Sequence, residues 1–264
     1  MAPTDADLEA RLMKLIQENG MNREDRGKDG ALCNSSPGDD ARPMEAAPSD
    51  HFSADLVLGE ENGFELWLGS LDDALCLGSL RARGFNALLN CAVEECEREC
   101  AAHRGAGTGR RRAHARGGSA IDVGGSLGEG MSFDRDQVRA MALFDREWYT
   151  SMLNRDVAFF GISADDEDAY DMQRHFAEVN DFLRQCRAEG RKVLVHCIMG
   201  INRSSAALAA FLCGGIGMSL EEATCLISES RGYVLSNRSF VRQLISSYGS
   251  RCEHLEAQGN STEV

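Results

Sequence analysis

The residues best suited to chemistry in this 264-residue chain lie in Val195-His-Cys-Ile-Met-Gly-Ile-Asn-Arg-Ser204. Lys192-Val-Leu-Val-His196 is short and almost wholly apolar, as expected of a strand buried on both faces. Arg203 to Cys213 is rich in small residues and reads as a helix. Cys197 therefore ends a strand and Arg203 opens a helix. The N–H groups of such a loop, with the helix N-terminus behind them, converge on a single anion. His196, Ile198, Met199, Gly200, Ile201 and Asn202 form this phosphate-holding segment. Gly200 lets the backbone turn where a side chain would obstruct it, and the planar Arg203 fork can bind two phosphate oxygens. A free thiol is mostly protonated at neutral pH, whereas a helix N-terminus and a nearby cation favour thiolate. Such a thiolate can attack phosphorus in line, and Ser204 can donate a hydrogen bond to the sulfur when it leaves. His196 is placed to orient the loop rather than to move a proton. The positive field comes from the protein, so this chemistry calls for no metal and no cofactor.

Release of an alkoxide or phenoxide also needs a proton donor. Gly161-Ile-Ser-Ala-Asp-Asp-Glu-Asp168 follows the apolar segment Val157 to Ile162 and precedes a helical pattern. Asp165, Asp166 and Asp168 are the candidates. Composition alone reads them equally well as solvated helix-capping carboxylates.

The surrounding elements alternate. Glu65-Leu-Trp-Leu-Gly69 reads as a strand, Leu71 to Arg83 as a helix, and Asn86-Ala-Leu-Leu-Asn-Cys91 as a buried strand. A helix is expected from about Asp134 to Leu153. Met172, Phe176, Val179, Phe182, Leu183 and Cys186 mark the buried face of a further helix. Ser219 with Glu222 forms a capping box for Leu220 to Ser230, and Asn237 can cap the last helix. Alternating strands and helices predict an α/β fold, with a mostly parallel central sheet covered by helices and the site at the strands' C-terminal ends.

Three segments stand outside this pattern. Residues 1–52 form an N-terminal extension. Leu8, Leu12, Leu15 and Ile16 give a short amphipathic helix over 5–19, and residues 20–52, rich in Gly, Pro, Asp and Ser, read as a flexible linker. Residues 97–132 are rich in Gly and Arg and poor in large apolar side chains, so a disordered insertion is expected inside a 53–250 catalytic domain. Residues 251–264 form a C-terminal tail.

A formal net charge of −14 argues against nucleic acid and anionic membrane as partners. No apolar run reaches the length of a membrane span. The N-terminus lacks a secretory pattern, so a reduced setting in the cytoplasm, with the nucleus open to it, is expected. Cys91, Cys96 and Cys100 with His103 form the one local cluster of metal-ligand types, but without a CxxC pair they are read as apolar cysteines.

His196-Cys197-x5-Arg203-Ser204, with Gly200 three residues after the cysteine, resembles the signature of the cysteine-based protein tyrosine phosphatase superfamily. Its neighbours resemble the compact dual-specificity branch, particularly the atypical members: Leu68-Gly-Ser70, Leu89-Asn90, Tyr149 to Ile162, and Arg231 with Asn237, Phe240, Gln243 and Leu244. The resemblance runs from about Glu65 to Leu244. It implies a compact cysteine-phosphatase fold and a metal-independent hydrolase acting on phosphoproteins. In that reading Cys197 is the nucleophile, Arg203 the phosphate clamp and Ser204 the helper in breakdown of a phosphocysteine. Counting back from Phe176 puts the acid at Asp166, with Asp165 second, and Asn90 is a softer candidate for supporting the phosphate loop. No segment corresponds to the phosphotyrosine grip of the larger family members, so phosphotyrosine and phosphoserine/threonine are both expected as substrates. Asn202 departs from the serine often found before the catalytic arginine, and also occurs in the RNA 5′-triphosphatase branch. Ile198, Met199 and Ile201 lack the lysine that phosphoinositide phosphatases place in this loop. Separately, the terminal Ser-Thr-Glu-Val264 resembles a PDZ-domain ligand.

Overall fold

Five apolar segments pair into one mixed sheet in the computed structural model, which describes residues 4–29, 52–106 and 135–249. The strands are β1 (Asp55–Gly59), β2 (Glu65–Gly69), β3 (Ala87–Asn90), β4 (Ala158–Gly161) and β5 (Lys192–His196). Their order is β1-β2-β5-β3-β4. β1 runs antiparallel to β2, and the other three pairings are parallel. β5 occupies the centre, which is why four of its five residues are fully covered and nothing polar precedes His196 in its interior. Gly69, His196, Asn90 and Gly161 face one another across the four parallel strands, so all four strands end in one row. The loop after β5 leaves from the middle of that row.

Short helices cover the sheet. α1 (Asp5–Asp29) precedes it, and α2 (Leu71–Leu75) and α3 (Leu77–Ala82) follow β2. α4 (Val93–Ala106) follows β3, and α5 (Arg135–Met141) and α6 (Arg146–Leu153) precede β4. α7 (Phe176–Ala188) leads into β5, which is followed by α8 (Arg203–Phe211), α9 (Leu220–Arg231) and α10 (Arg238–Tyr248). Every residue of α8 is buried, and its Ser and Ala side chains are small enough to let neighbours approach on all sides. The capping box at Ser219 and Glu222 is formed, and Asn237 accepts from the Ser239 and Phe240 N–H groups at the start of α10.

Several boundaries differ from the sequence reading, each for a physical reason. The helix expected over 71–83 breaks at Cys76, and the one expected over 134–153 breaks before Asp145, whose side chain caps α6 through the Trp148 N–H. The linker expected from residue 20 is helical as far as Asp29, because Met, Arg, Glu and Lys are good helix formers and carry the helix past Gly20. The insertion expected to begin at residue 97 is helical to Ala106. Cys96 and Cys100 lie one turn apart and are fully buried, so they serve as the apolar stripe that large residues would otherwise supply. The remainder of the 97–132 reading, most of the 20–52 linker and the PDZ-like tail fall outside the described residues.

Sequence left open where α1 would pack. It lies on α9 and α10 of its own domain, with Leu8, Leu12 and Ile16 buried. Glu9 bridges Arg238 at 2.8 Å and Arg242 at 3.1 Å. Arg11 pairs with Glu221 at 2.6 Å, and Asn19 Nδ2 donates to Ser228 Oγ at 2.8 Å. α1 and the sheet-bearing part of the chain thus share one core.

Candidate active site

Cys197 is the first residue beyond β5 and is almost completely buried, with its sulfur facing the turn that leads into α8. Gly200 N–H donates to Sγ at 3.2 Å, and Ser204 Oγ–H donates at 3.3 Å. The outer side of the loop is tied down by its carbonyls. Ile198 O accepts from Leu71 N–H, Met199 O from Arg231 Nη2, and Ile201 O from Leu235 N–H. Carbonyls held outward leave the N–H edge turned to the sulfur side. Gly200 has φ +71°, and a Cβ there would lie 2.5 Å from the Gly69 carbonyl oxygen, so the close approach of β2 demands glycine.

Arg203 opens α8 with its guanidinium buried. Nη1 donates to the Glu95 carboxylate and, at 3.1 Å, to Ala164 O, while Nε has no partner among the described residues. An unsatisfied buried N–H beside the thiol is an anion-binding position. Burial works against the charged form of Arg203, but the adjacent Cys197 and the Glu95 carboxylate outweigh it and push the pKa further up.

Burial holds three neighbouring side chains, His196, Cys91 and Cys96, neutral. His196 is fully buried, and burial pulls its pKa down to about 4, against a smaller opposing pull from the Cys197 carbonyl. Its Nδ1 lies 3.4 Å from Cys197 O, and its Nε2 has no partner among the described residues. A ring in this state is uncharged at neutral pH, with a single ring N–H. Cys91 and Cys96 are pushed upward by burial, Cys96 to about 12, so both remain thiols. Among the described residues no group of His, Cys, Asp and Glu is arranged to hold a metal ion.

Of the three aspartates on the loop after β4, Asp166 and Asp168 line the same cavity as Cys197; Asp165 is not on its wall. The Asp166 carboxylate is held at both oxygens, by Asn202 Nδ2 and Asn237 Nδ2, each at 3.0 Å. Asn202 Oδ1 in turn accepts from Ser236 Oγ and Asn237 N–H, both at 3.0 Å. Tyr170 Oη donates to Ser163 O at 3.0 Å and closes the base of the aspartate loop. The cavity, about 550 Å³, is walled by Ile198, Met199, Ile201, Glu95, Tyr233 and Ser236 besides the residues already named.

Three features were not read from the sequence: Glu95 on Arg203, Tyr233 on the rim, and the second task of Asn237. Only Asn202 had left a signal, as a departure from the usual serine. Asn90 Oδ1 accepts from Ala92 N–H at 2.9 Å and Cys96 Sγ at 3.6 Å and so anchors the entry to α4, while its buried Nδ2 has no partner among the described residues.

Residues 140–249 match the family model described as dual specificity phosphatase, catalytic domain. The chain is similar to this family over those residues, which make up less than half of its length. Asp166, Cys197, Arg203 and Ser204 all fall inside the matched residues, whereas Glu95 and α1 lie outside them. Human dual specificity protein phosphatase 26 is 35% identical over 91 residues, which is 34% of this chain and 43% of that protein. Mouse protein phosphatase Slingshot homolog 3 is 36% identical over 86 residues, 33% of this chain and 13% of that protein. The chain thus spans less than half the length of the curated relatives it matches. Among solved structures, a mouse putative dual specificity phosphatase complexed with zinc tungstate covers 83% of this chain and 97% of its own at 19% identity and TM-score 0.46. Human DUSP28 covers 81% and 99% at 18% identity and TM-score 0.46.

In this site the thiol, the loop N–H edge, the buried guanidinium and a carboxylate surround one cavity. That arrangement can hold a phosphate dianion, attack it through sulfur and protonate the departing oxygen.

Proposed function

We propose that this protein hydrolyses phosphomonoesters on phosphoproteins, taking both phosphotyrosine and phosphoserine/threonine, through a phosphocysteine at Cys197. The observation that carries the reading is the Cys197 sulfur, donated to by Gly200 N–H and Ser204 Oγ–H beside the unpaired Arg203 Nε, in the cavity that Asp166 lines. In the first step the S–P bond forms and the P–O bond to the substrate breaks, while Asp166 gives its proton to the leaving oxygen. Water then attacks phosphorus with Asp166 accepting its proton, and the thiolate leaves with the Ser204 hydrogen bond in place. The rim of Met199, Tyr233, Glu95 and Asp168 offers no lysine for additional phosphates, which favours a protein over a phosphoinositide.

The test is hydrolysis of a small aryl phosphate in excess chelator by wild type, Cys197→Ser and Asp166→Asn. Vanadate-sensitive turnover is expected, lost in Cys197→Ser and reduced about 100-fold or more in Asp166→Asn, within the range of general-acid contributions. An inert wild type that still binds phosphopeptides would replace this reading with a phosphoprotein-binding one. Turnover confined to phosphotyrosine peptides would remove the dual specificity. Localisation in the cytoplasm, with the nucleus also open to it, is proposed with this function, supported by the buried thiols of Cys91, Cys96 and Cys186. A PDZ-domain partner at Thr262-Glu-Val264 is a separate proposal, tested by pull-down with and without those three residues.

A further inference from the structure

Among the described residues, five large apolar side chains are strongly exposed: Met21, Leu56, Leu143, Met199 and Tyr233. Three of them lie along one path. Met199 lines the phosphate cavity, Met21 lines a second cavity of about 750 Å³, and Tyr233 and Ser236 line both. The second cavity is a groove between α1, which contributes Met13, Ile16 and Gly20, and the segment joining α9 to α10.

We infer that this groove is a substrate subsite, and that it receives an apolar side chain of the phosphoprotein a few residues from the phosphorylated one. The inference rests on the phosphatase reading and adds a sequence preference to it. The occupant follows from continuity: a polypeptide whose phosphoresidue sits over Cys197 can pass Tyr233 and enter the groove without leaving the surface. Both cavities have Tyr233 and Ser236 on their walls, and an extended chain advances about 3.3 Å per residue, so the side chain received lies a few residues from the phosphoresidue.

Polarity selects its type. Of the two arginines at the groove, Arg231 is paired with Asp55 at 2.9 Å and Arg238 shares Glu9 with Arg242, so one partly compensated cation stands beside an otherwise apolar wall. Met13 and Met21 offer adaptable thioethers, and Ile16 a rigid apolar floor, which suits Leu, Met or Phe. The α1 wall lies outside the matched catalytic residues, so the preference belongs to the extension of this chain.

The experiment walks a single Leu along an otherwise Ala/Ser phosphotyrosine peptide, over five positions on either side. Binding is read by fluorescence polarisation on full-length Cys197→Ser protein, and kcat/KM on the wild type. Leu at one or two positions on one side should raise affinity and kcat/KM about five- to tenfold over Ala. Gly20→Leu, which fills the groove, and Met21→Ser, on its exposed edge, should each abolish that gain and leave hydrolysis of a small aryl phosphate unchanged. A flat scan, or a gain that survives both variants, overturns the subsite. Aryl phosphate turnover with a flat scan overturns the groove alone. Leu-dependent binding without any turnover upholds the groove and overturns the phosphatase reading.

Discussion

Asp166 is exposed, yet its carboxylate is held at both oxygens. Two neutral amide donors, one from the residue before Arg203 and one from the cap of α10, hold its two oxygens. A donor must meet the leaving oxygen in the transition state, and small misplacements of such groups are costly. The Asn202→Ser variant shortens the side chain and removes the Nδ2 donor while leaving Cys197 and Arg203 in place. Across a series of aryl phosphates, its kcat/KM is expected to fall about tenfold for poor leaving groups, a fraction of the ~10²–10⁴ that general acids contribute. Good leaving groups, which need little protonation, should hardly change. An equal fall across the series would mean that Asn202 acts on phosphate binding instead. Glu95 plays a matching part for Arg203, fixing one end of the guanidinium so that Nε keeps its aim.

At the scale of elements, the site depends on strands that stop in register and on helices brought in behind them. Gly69, His196, Asn90 and Gly161 end four parallel strands in one row, and the phosphate loop, the acid loop and α4 all spring from that row. α1 belongs to the same framework. Leu12 is buried against the domain at 1% exposure, so Leu12→Ala should cost about 2–5 kcal/mol in urea unfolding, as large-to-small changes in packed cores do. An unchanged unfolding midpoint would show that α1 contributes little to the fold, and with it the groove wall would lose its support.

For the molecule as a whole, the buried His196 couples stability to pH. Its folded pKa of about 4 lies below the ordinary 6.5, so between those values the unfolded chain takes up a proton that the folded chain refuses. Its contribution is complete above pH 6.5 and is lost as pH falls toward 4. Between pH 7 and pH 5 the loss is about 2 kcal/mol, since one pKa unit corresponds to about 1.4 kcal/mol. Denaturation at the two pH values should show a drop smaller by about that amount in His196→Asn. Equal drops in the two proteins would mean that the ring is charged in the fold or open to solvent.

The phosphate loop was legible in the sequence because its chemistry is local. A buried strand, a turn requiring glycine and a helix start occupy the twelve residues from Lys192 to Arg203, and their order alone aims Cys197, Gly200 and Arg203 at one point. Capping at Ser219 and Asn237 was legible for the same reason, being a matter of three or four residues. The residues alone narrowed the acid to Asp165, Asp166 and Asp168, the family resemblance pointed to Asp166, and the cavity wall carries Asp166, held by Asn202 and Asn237 from 36 and 71 residues away, but not Asp165. The helical run through Cys96 and Cys100 was masked by its composition, since a cysteine stripe becomes apolar only where the fold buries it. Glu95 on Arg203, Tyr233 between two cavities and α1 against α9 join residues about 100 to 200 positions apart. Sequence alone singled out Cys197, its loop and the order of elements, which are set by neighbours along the chain. The acid's aim, the clamp on the arginine and the groove beside the site were decided by tertiary structure, because they exist only where separate elements meet.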